Sequence, residues 1–246
     1  MPAKRRVPRL FLERELNGHS AALDEREAHY LGHVLRLQRG DELVAFNGRG
    51  AERLARVRTL HRRGAELELG AERGALPESP LDLTLVQAIA KADAMDFIVQ
   101  KSTELGVRTI RPVYTEFSVV KLDDERAERR VEHWRKIARS ACEQCGRHSP
   151  PLIAPPAGLR AGCEALPAAT LKLALDLEAA APLARVQLDN APLALAVGPE
   201  GGFSAEDWRR LDAAGFARIT LGPRVLRAET AALAACGLAQ SLWGDG

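Results

Sequence analysis

Two hydrophobic rhythms divide the chain. Up to about residue 75 the apolar positions come in short runs: Arg9-Leu10-Phe11-Leu12, Glu42-Leu43-Val44-Ala45-Phe46, Arg53 to Thr59 and Ala65 to Leu69. The last two alternate apolar and polar residues, the period of a half-buried strand. Asn47-Gly48 follows the second run and is a sharp hairpin signal, because both residues tolerate positive φ. One helix interrupts the strands, from Asp24 to Leu35, where Ala28, Leu31 and Leu35 recur at helical spacing. Short strands separated by turns predict a small barrel.

The stretch 70–80, GAERGALPESP, is rich in Gly, Pro and charge and reads as a linker. It divides a domain of residues 1–75 from one of residues 76–246. Beyond it, strands and helices alternate. Strands are predicted over Leu81–Ile89, Thr109–Tyr114, Leu171–Leu175, Leu193–Val197 and Ile219–Leu221. Helices are predicted over Ala92–Leu105, Asp123–Cys145, Ser204–Ala214 and Ala228–Trp243. Gly106 and Gly146 stand where a helix commonly stops, and Ser204 with Asp207 forms a capping-box-like start. This alternation predicts an α/β domain with an open, parallel-looking sheet. The last helix is apolar around its whole circumference and must be buried on several sides.

Composition narrows the class. With 46% hydrophobic and 28% charged residues and a formal net charge of +2, the chain reads as globular rather than disordered. No apolar run reaches the roughly 20 residues of a membrane helix; Thr230 to Trp243 is the longest and contains Gln240 and Ser241. The N-terminal MPAKRRVPRLFLEREL lacks the apolar stretch of a signal peptide. A cytoplasmic protein without a membrane partner is expected. Arg outnumbers Lys 29 to 6, and residues 1–80 and 81–160 are net basic while 161–246 are net acidic. That distribution permits an anionic partner on the first two thirds of the chain. Cys142 and Cys145 form a C-x-x-C followed by His148, but no second ligand pair accompanies them. Reduced, structural thiols and no metal are expected.

The densest chemistry lies in two loops. Gly198-Pro199-Glu200-Gly201-Gly202-Phe203-Ser204 follows a strand and precedes a helix, where ligands bind in open α/β sheets. It is neither a Walker motif nor G-x-G-x-x-G, and Glu200 disfavours a triphosphate. A ligand loop and a tight turn without a ligand are both consistent with it. Leu221-Gly222-Pro223-Arg224-Val225-Leu226-Arg227-Ala228-Glu229-Thr230-Ala231 has the same position after another short strand. It reads either as a second binding loop at the end of a neighbouring strand or as surface charge before a helix start.

These two loops resemble GPEGG-F-S-x-E and L-G-x-R-V/I-L-R-x-E-T-A of the bacterial methyltransferases that modify small-subunit ribosomal RNA at uridine N3, within the SPOUT superfamily. Further stretches are similar to the same family in the same order: Lys91 through Gln100-Lys101-Ser102-Thr103-Glu104-Leu105-Gly106-Val107, Glu143-Gln144-Cys145-Gly146-Arg147, and His29 to Arg36 followed by Gly40-Asp41.

The resemblance implies a PUA-like barrel followed by a SPOUT α/β domain with a deep C-terminal trefoil knot, and a homodimer. It implies S-adenosyl-L-methionine as cofactor, held by Gly198, Pro199, Glu200, Gly201 and Gly202, by Leu221, Gly222, Val225 and Leu226, and by Leu175 and Thr230. Asp176-Leu177-Glu178 is similar to a third loop of that site. Uracil N3 carries a proton and becomes nucleophilic only when that proton leaves, so a base or an anion-stabilising cation is required. Arg227 is assigned to the anion, and Glu229 either to the proton or to holding Arg227. The target lies on the pairing edge and must be unpaired or flipped out. RNA contacts are expected from Arg9, His29, Arg36, Gln144 and Arg147, with the assembled small subunit as the partner. The alternatives are a SPOUT methyltransferase of transfer RNA or of a ribose hydroxyl, and a PUA-like RNA-binding module without catalysis.

Overall fold

Alternating burial along the first strands folds them into one curled sheet. The computed structural model describes residues 7–50, 52–118 and 124–246. Two units emerge: Met1–Glu78 with Cys142–Ser149, and Ser79–Ala141 with Pro150–Gly246. The first contains β1 (Arg9–Phe11), β2 (Ser20–Leu23), α1 (Glu25–His29), β3 (Glu42–Phe46), β4 (Glu52–His61) and β5 (Gly64–Arg73). Its half-barrel has the strand order β1-β3-β4-β5-β2. β1 runs parallel to β3, and the other pairs are antiparallel. Leu10, Leu23, Leu31, Leu43, Val57 and Leu67 fill its concave side.

Several local expectations change here. The helix expected over Asp24–Leu35 is α-helical only to His29, with Asp24 as its cap in a reciprocal capping box with Glu27. The backbone then widens into a π-helical turn over Tyr30–Val34, in which the Leu35 N–H donates to the Tyr30 carbonyl. Asn47-Gly48 does not form a two-residue hairpin. The Asn47 amide donates to the Arg14 carbonyl and its oxygen accepts the Arg49 N–H, which opens a longer connection to β4. The tight turn is Arg62-Arg63, with His61 and Gly64 paired across it. β5 extends to Arg73, opposite Glu52, so the first part of the expected linker is strand. β2, only four residues long, carries no pattern long enough to read.

The second unit contains β6 (Leu83–Ala88), α2 (Ala92–Glu104), β7 (Thr109–Tyr114), α3 (Asp124–Cys145), β8 (Leu152–Ile153), β9 (Ala157–Gly158), α4 (Leu159–Glu164), β10 (Leu171–Leu175), β11 (Leu193–Val197), α5 (Ala205–Ala213), β12 (Ala217–Ile219) and α6 (Ala228–Trp243). The last turn of α3 groups with the first unit. The stretch Met1–Arg6 and the expected helix start at Asp123 lie outside the described residues. All pairings in this sheet are parallel, in the order β12-β10-β11-β6-β7-β8, with β9 also on β7. The last strand ends at Ile219 rather than Leu221, because its partner β10 is matched through Leu175↔Ile219.

The strand pleat sends alternate residues to opposite faces. Leu83 and Leu85 meet Met95 and Ile98 of α2, Trp134 of α3 and Cys236 of α6. Val86 and Ala88 meet Leu159 and Cys163 of α4 and Leu211 of α5. The ends of α2 and α6 are locked together. Gln240 donates to the Leu105 carbonyl (2.9 Å) and accepts from Ser79 Oγ (2.7 Å). Gly106 follows α2 with φ +77°, and a Cβ there would lie 2.5 Å from the Gln240 amide nitrogen. Only glycine satisfies both the backbone conformation and that contact.

Within the first unit, Glu143 accepts from the Phe11 N–H (2.8 Å) and from the Tyr30 hydroxyl (2.6 Å). Burial raises its pKa above the ordinary carboxylate value, opposed by these two hydrogen bonds and by Arg9. A carboxyl whose folded pKa is raised contributes stability that is fully present below the unfolded value and is lost as pH rises through the folded value. The melting-temperature advantage of the parent over Glu143→Gln is therefore expected to grow as pH falls from 7.5 to 5, measured by thermal melts of both proteins. A constant difference across that range would refute the assignment.

Candidate functional site

Because β10 pairs in parallel with both β11 and β12, the loops that follow the three strands emerge at one edge of the sheet. Between these loops lies a cavity of about 480 Å³. The first loop contributes Leu175, Asp176, Leu177 and Glu178, the second Gly198, Pro199, Glu200, Gly202 and Phe203, and the third Thr220 to Gly222 and Arg224 to Leu226. The loops expected on neighbouring strands follow β11 and β12, which are not adjacent: β10 lies between them. That order places the Asp176 loop between the other two.

Each loop is folded tightly for a local reason. A Cβ on Gly198 would lie 3.1–3.3 Å from backbone atoms of Gly202 and Phe203, so the glycine turn closes on itself. Gly202 takes φ +71°, a conformation few other residues adopt. Ser204 and Asp207 make the reciprocal cap of α5. The fully buried Asp207 carboxylate also accepts the Glu116 N–H from the loop after β7. In the third loop, Thr220 Oγ1 accepts the Gly222 N–H at 3.1 Å.

The wall is mixed in chemistry. Leu175, Val197 and Leu226 give it apolar surface, and Trp208 stacks edge-on with Phe203. The Arg218 guanidinium lies 4.2 Å from the Trp208 ring centre, 3.5 Å from Asp176 and 2.8 Å from Asp212. Asp176 Oδ1 accepts the Glu178 N–H. Asp176, Glu178 and Glu200 thus present three carboxylates to the cavity. Trp208 and Arg218 were not singled out from the sequence. Their contribution depends on α5 and the edge strand β12 converging on the same loop, which no local spacing records.

Among the residues expected at a cofactor site, Leu175, Gly198, Pro199, Glu200, Gly202, Leu221, Gly222, Val225 and Leu226 line this cavity. Gly201 and Thr230 are not on its wall. The Cβ position of Gly201 faces Phe117 at 3.3 Å, and Thr230 is exposed in the first turns of α6. Glu200 holds the start of α2, its Oε1 lying 3.4 Å from the Lys91 nitrogen. Arg227 caps α6 between the lining residues Leu226 and Ala228 and is exposed; Glu229 is half-buried in the first turn. They form no ion pair with each other or with any other described residue.

The five residues expected to meet RNA separate into two groups. Arg9 pairs with Glu52 at 2.6 Å, donates to the Arg147 carbonyl and stacks over Phe46. Arg147 binds Glu78 through Nε and Nη2. Their side chains are only 10% and 12% exposed, so both act inside the first unit. His29, Arg36 and Gln144 are exposed. His29 stacks on His33 at 4.4 Å, and Arg36 ends the π-helical turn at φ +56°. Burial pushes the Cys142 thiol up to about 12, and His148 faces the Leu76 carbonyl and Glu78.

A family model of an RNA methyltransferase domain matches residues 77–240, and one of an RNA methyltransferase PUA domain matches residues 23–70. Ribosomal RNA small subunit methyltransferase E of Buchnera aphidicola subsp. Schizaphis graminum is 32% identical, covering 98% of this chain and 99% of that protein. The crystal structure of ribosomal RNA small subunit methyltransferase E from Neisseria gonorrhoeae, bound to S-adenosyl methionine, superposes with a TM-score of 0.90 at 38% identity, covering 98% and 99% of the two chains. A methyltransferase from Legionella pneumophila in complex with the same cofactor gives 0.94 at 34% identity, covering 98% and 100%. With a domain model spanning most of its length and a relative above 30% identity along nearly all of it, this chain belongs to the ribosomal RNA small subunit methyltransferase E family.

Proposed function

We propose that this protein methylates N3 of a uridine in small-subunit ribosomal RNA, using S-adenosylmethionine held in the cavity after β10, β11 and β12. The observation that carries the reading is the convergence of those three loops on one small-molecule-sized cavity. Its donor set fits this cofactor: apolar surface and Trp208 suit adenine, loop backbone suits the ribose and adenine edges, and Asp176, Glu178 and Glu200 suit a cation. Bound there, S-adenosylmethionine supplies an electrophilic methyl on a positively charged sulfur. The first unit acts as a PUA-like RNA-binding domain, with His29, Arg36 and Gln144 on its surface.

The chain's own residues then prepare the uracil. Arg227 stands exposed at the cap of α6 beside the lining residue Leu226, with no carboxylate paired to it among the described residues. Its planar, permanently charged group stabilises the uracil anion formed when the N3 proton leaves. Glu229, in the first turn of α6 and with no basic partner among the described residues, accepts that proton. Unpairing of the target uridine exposes N3, and an assembled small subunit supplies the surrounding shape that a chain of low net charge needs for recognition.

A homodimer and the superfamily's knot belong to the same proposal. β12 lies outside β10, yet α6 packs back against β6, β11 and α2, a path that supports a chain crossing at this edge. The outer face of α6 leaves Ala234 and Leu242 exposed, with Leu233 and Leu238 half-covered. A second copy of the same helix is a fitting cover for so apolar a face.

Four outcomes test this reading. Incubation of the protein and labelled cofactor with small subunits lacking the modification should place one methyl group on uridine N3, mapped by mass spectrometry of the digested RNA. Gly198→Ala should reopen the glycine turn and weaken cofactor binding by tenfold or more in calorimetry, with an unchanged circular dichroism spectrum; undiminished affinity would remove that loop from the site. Arg227→Ala should slow single-turnover methylation on the order of a hundredfold while cofactor affinity changes little, and Arg227→Lys should recover little of the rate. Light scattering at micromolar protein should give twice the mass of one chain, and a concentration-independent monomer would refute the dimer.

A further inference from the structure

Helix α3 separates its charges by sign. Val131, Trp134 and Ala138 are buried and define its core side. At 3.6 residues per turn, Arg126, Arg129, Arg130, His133 and Lys136 fall within an arc of about 120° on one flank. Glu125, Glu128 and Glu132 fall within about 60° beside it. Arg135 and Arg139, on the acidic side, pair with Glu132. The basic flank carries a depression of about 340 Å³ lined, among the described residues, by Arg126, Arg129, Arg130 and His133. Arg130 has no ion-pair partner among the described residues, and Arg129 is held only by Glu125, which is 78% exposed.

Two links place this depression near the methyl-transfer cavity. His133 Nε2 lies 2.7 Å from Asp96 on α2. Asp96 is five residues, about 7.5 Å of helix, beyond Lys91, whose backbone nitrogen lies 3.4 Å from the cavity residue Glu200. On the other side, Phe117 packs against Gly201, and from Ser118 to Asp124 the chain spans at most about 21 Å.

We propose that this cationic depression on α3 holds the phosphodiester backbone of the RNA strand flanking the target nucleotide. Arg126 and Arg130 stand one turn apart, so two cations face a polyanion along the helix. A depression whose described lining is entirely basic, beside a separate acidic flank, is complementary in charge to a phosphate chain. The contact carries no base information: it fixes the strand so that the base edge is left for the cavity. This rests on the reading of the substrate as RNA.

The test compares the full-length protein with Arg126→Ala/Arg130→Ala, Arg126→Lys/Arg130→Lys and Arg135→Ala/Arg139→Ala. Probes are a single-stranded RNA oligonucleotide and purified small ribosomal subunits, titrated from 50 to 300 mM salt, with cofactor calorimetry and light scattering alongside. Each phosphate contact contributes about 0.7 to the slope of log affinity against log salt. The double alanine variant should bind RNA about tenfold more weakly at low salt, with a slope shallower by about 1 to 1.5. Its cofactor affinity should be unchanged. The lysine pair should restore the slope, and the Arg135/Arg139 pair should match the parent. An unchanged slope in the alanine variant, with the parent still methylating small subunits, would overturn this contact while leaving the functional reading intact. A parent that neither binds nor methylates small subunits would overturn both. A changed molecular mass with an unchanged salt slope would make the depression a protein interface instead and refute the assignment.

Discussion

Uniform strand direction is the constraint on which the second unit depends. Every strand in its sheet pairs in parallel, so every carboxyl end lies on the same edge and the connections between side-by-side strands must cross a face, whereas β8 and β9 follow one another along β7. The buried run Leu193–Val197 has no polar side because helices cover both of its faces. Once β10 is inserted between β11 and β12, three loops must share one patch of that edge. The cavity is therefore a product of strand order, and its chemistry is whatever those loops carry.

Keeping three loops in place requires anchors that are themselves buried. Asp207 ties one of them to a neighbouring loop, capping α5 behind the glycine turn and holding the Glu116 N–H from the loop after β7. A carboxylate with two backbone donors in a dry site is costly to move, because either donor would be left without its acceptor. Glu200 plays a looser part: it is exposed and its carboxylate lies 3.4 Å from the backbone nitrogen at the start of α2. The site thus combines a firmly held anchor with a looser one.

Much of this was legible in the sequence wherever the signal was local. β3, β7, β10, β11 and α6 occupy the ranges that their apolar patterns mark, since each is long enough to show a period and has a recognisable stop. β8 and β9 have two residues each and carry no period at all; only pairing with β7 defines them. The widening after His29 was hidden because Leu31 and Leu35 fit an α-helical spacing, although the turn that places the Tyr30 hydroxyl on Glu143 is π-helical. The glycine loops were visible as composition. The role of Trp208 and Arg218 was not, since it comes from an edge strand meeting a helix that precedes it.

Charge shows most clearly why position outweighs type. A net charge of +2 spread over 35 basic and 33 acidic residues gives little attraction for RNA as a whole. Arg9 and Arg147 carry full charges, yet each is closed off by a carboxylate and by backbone contacts, so their electrostatic reach ends inside the first unit. Such partly buried pairs fix geometry, whereas exposed intrahelical pairs such as Arg129–Glu125 contribute little and exchange easily. The cations left to act on a partner are those the fold leaves on one side of an element without a strong acceptor. Sorting arginines by what already neutralises them separates the ones that build the protein from the ones left exposed to a partner, a distinction that counting basic residues along the chain does not make.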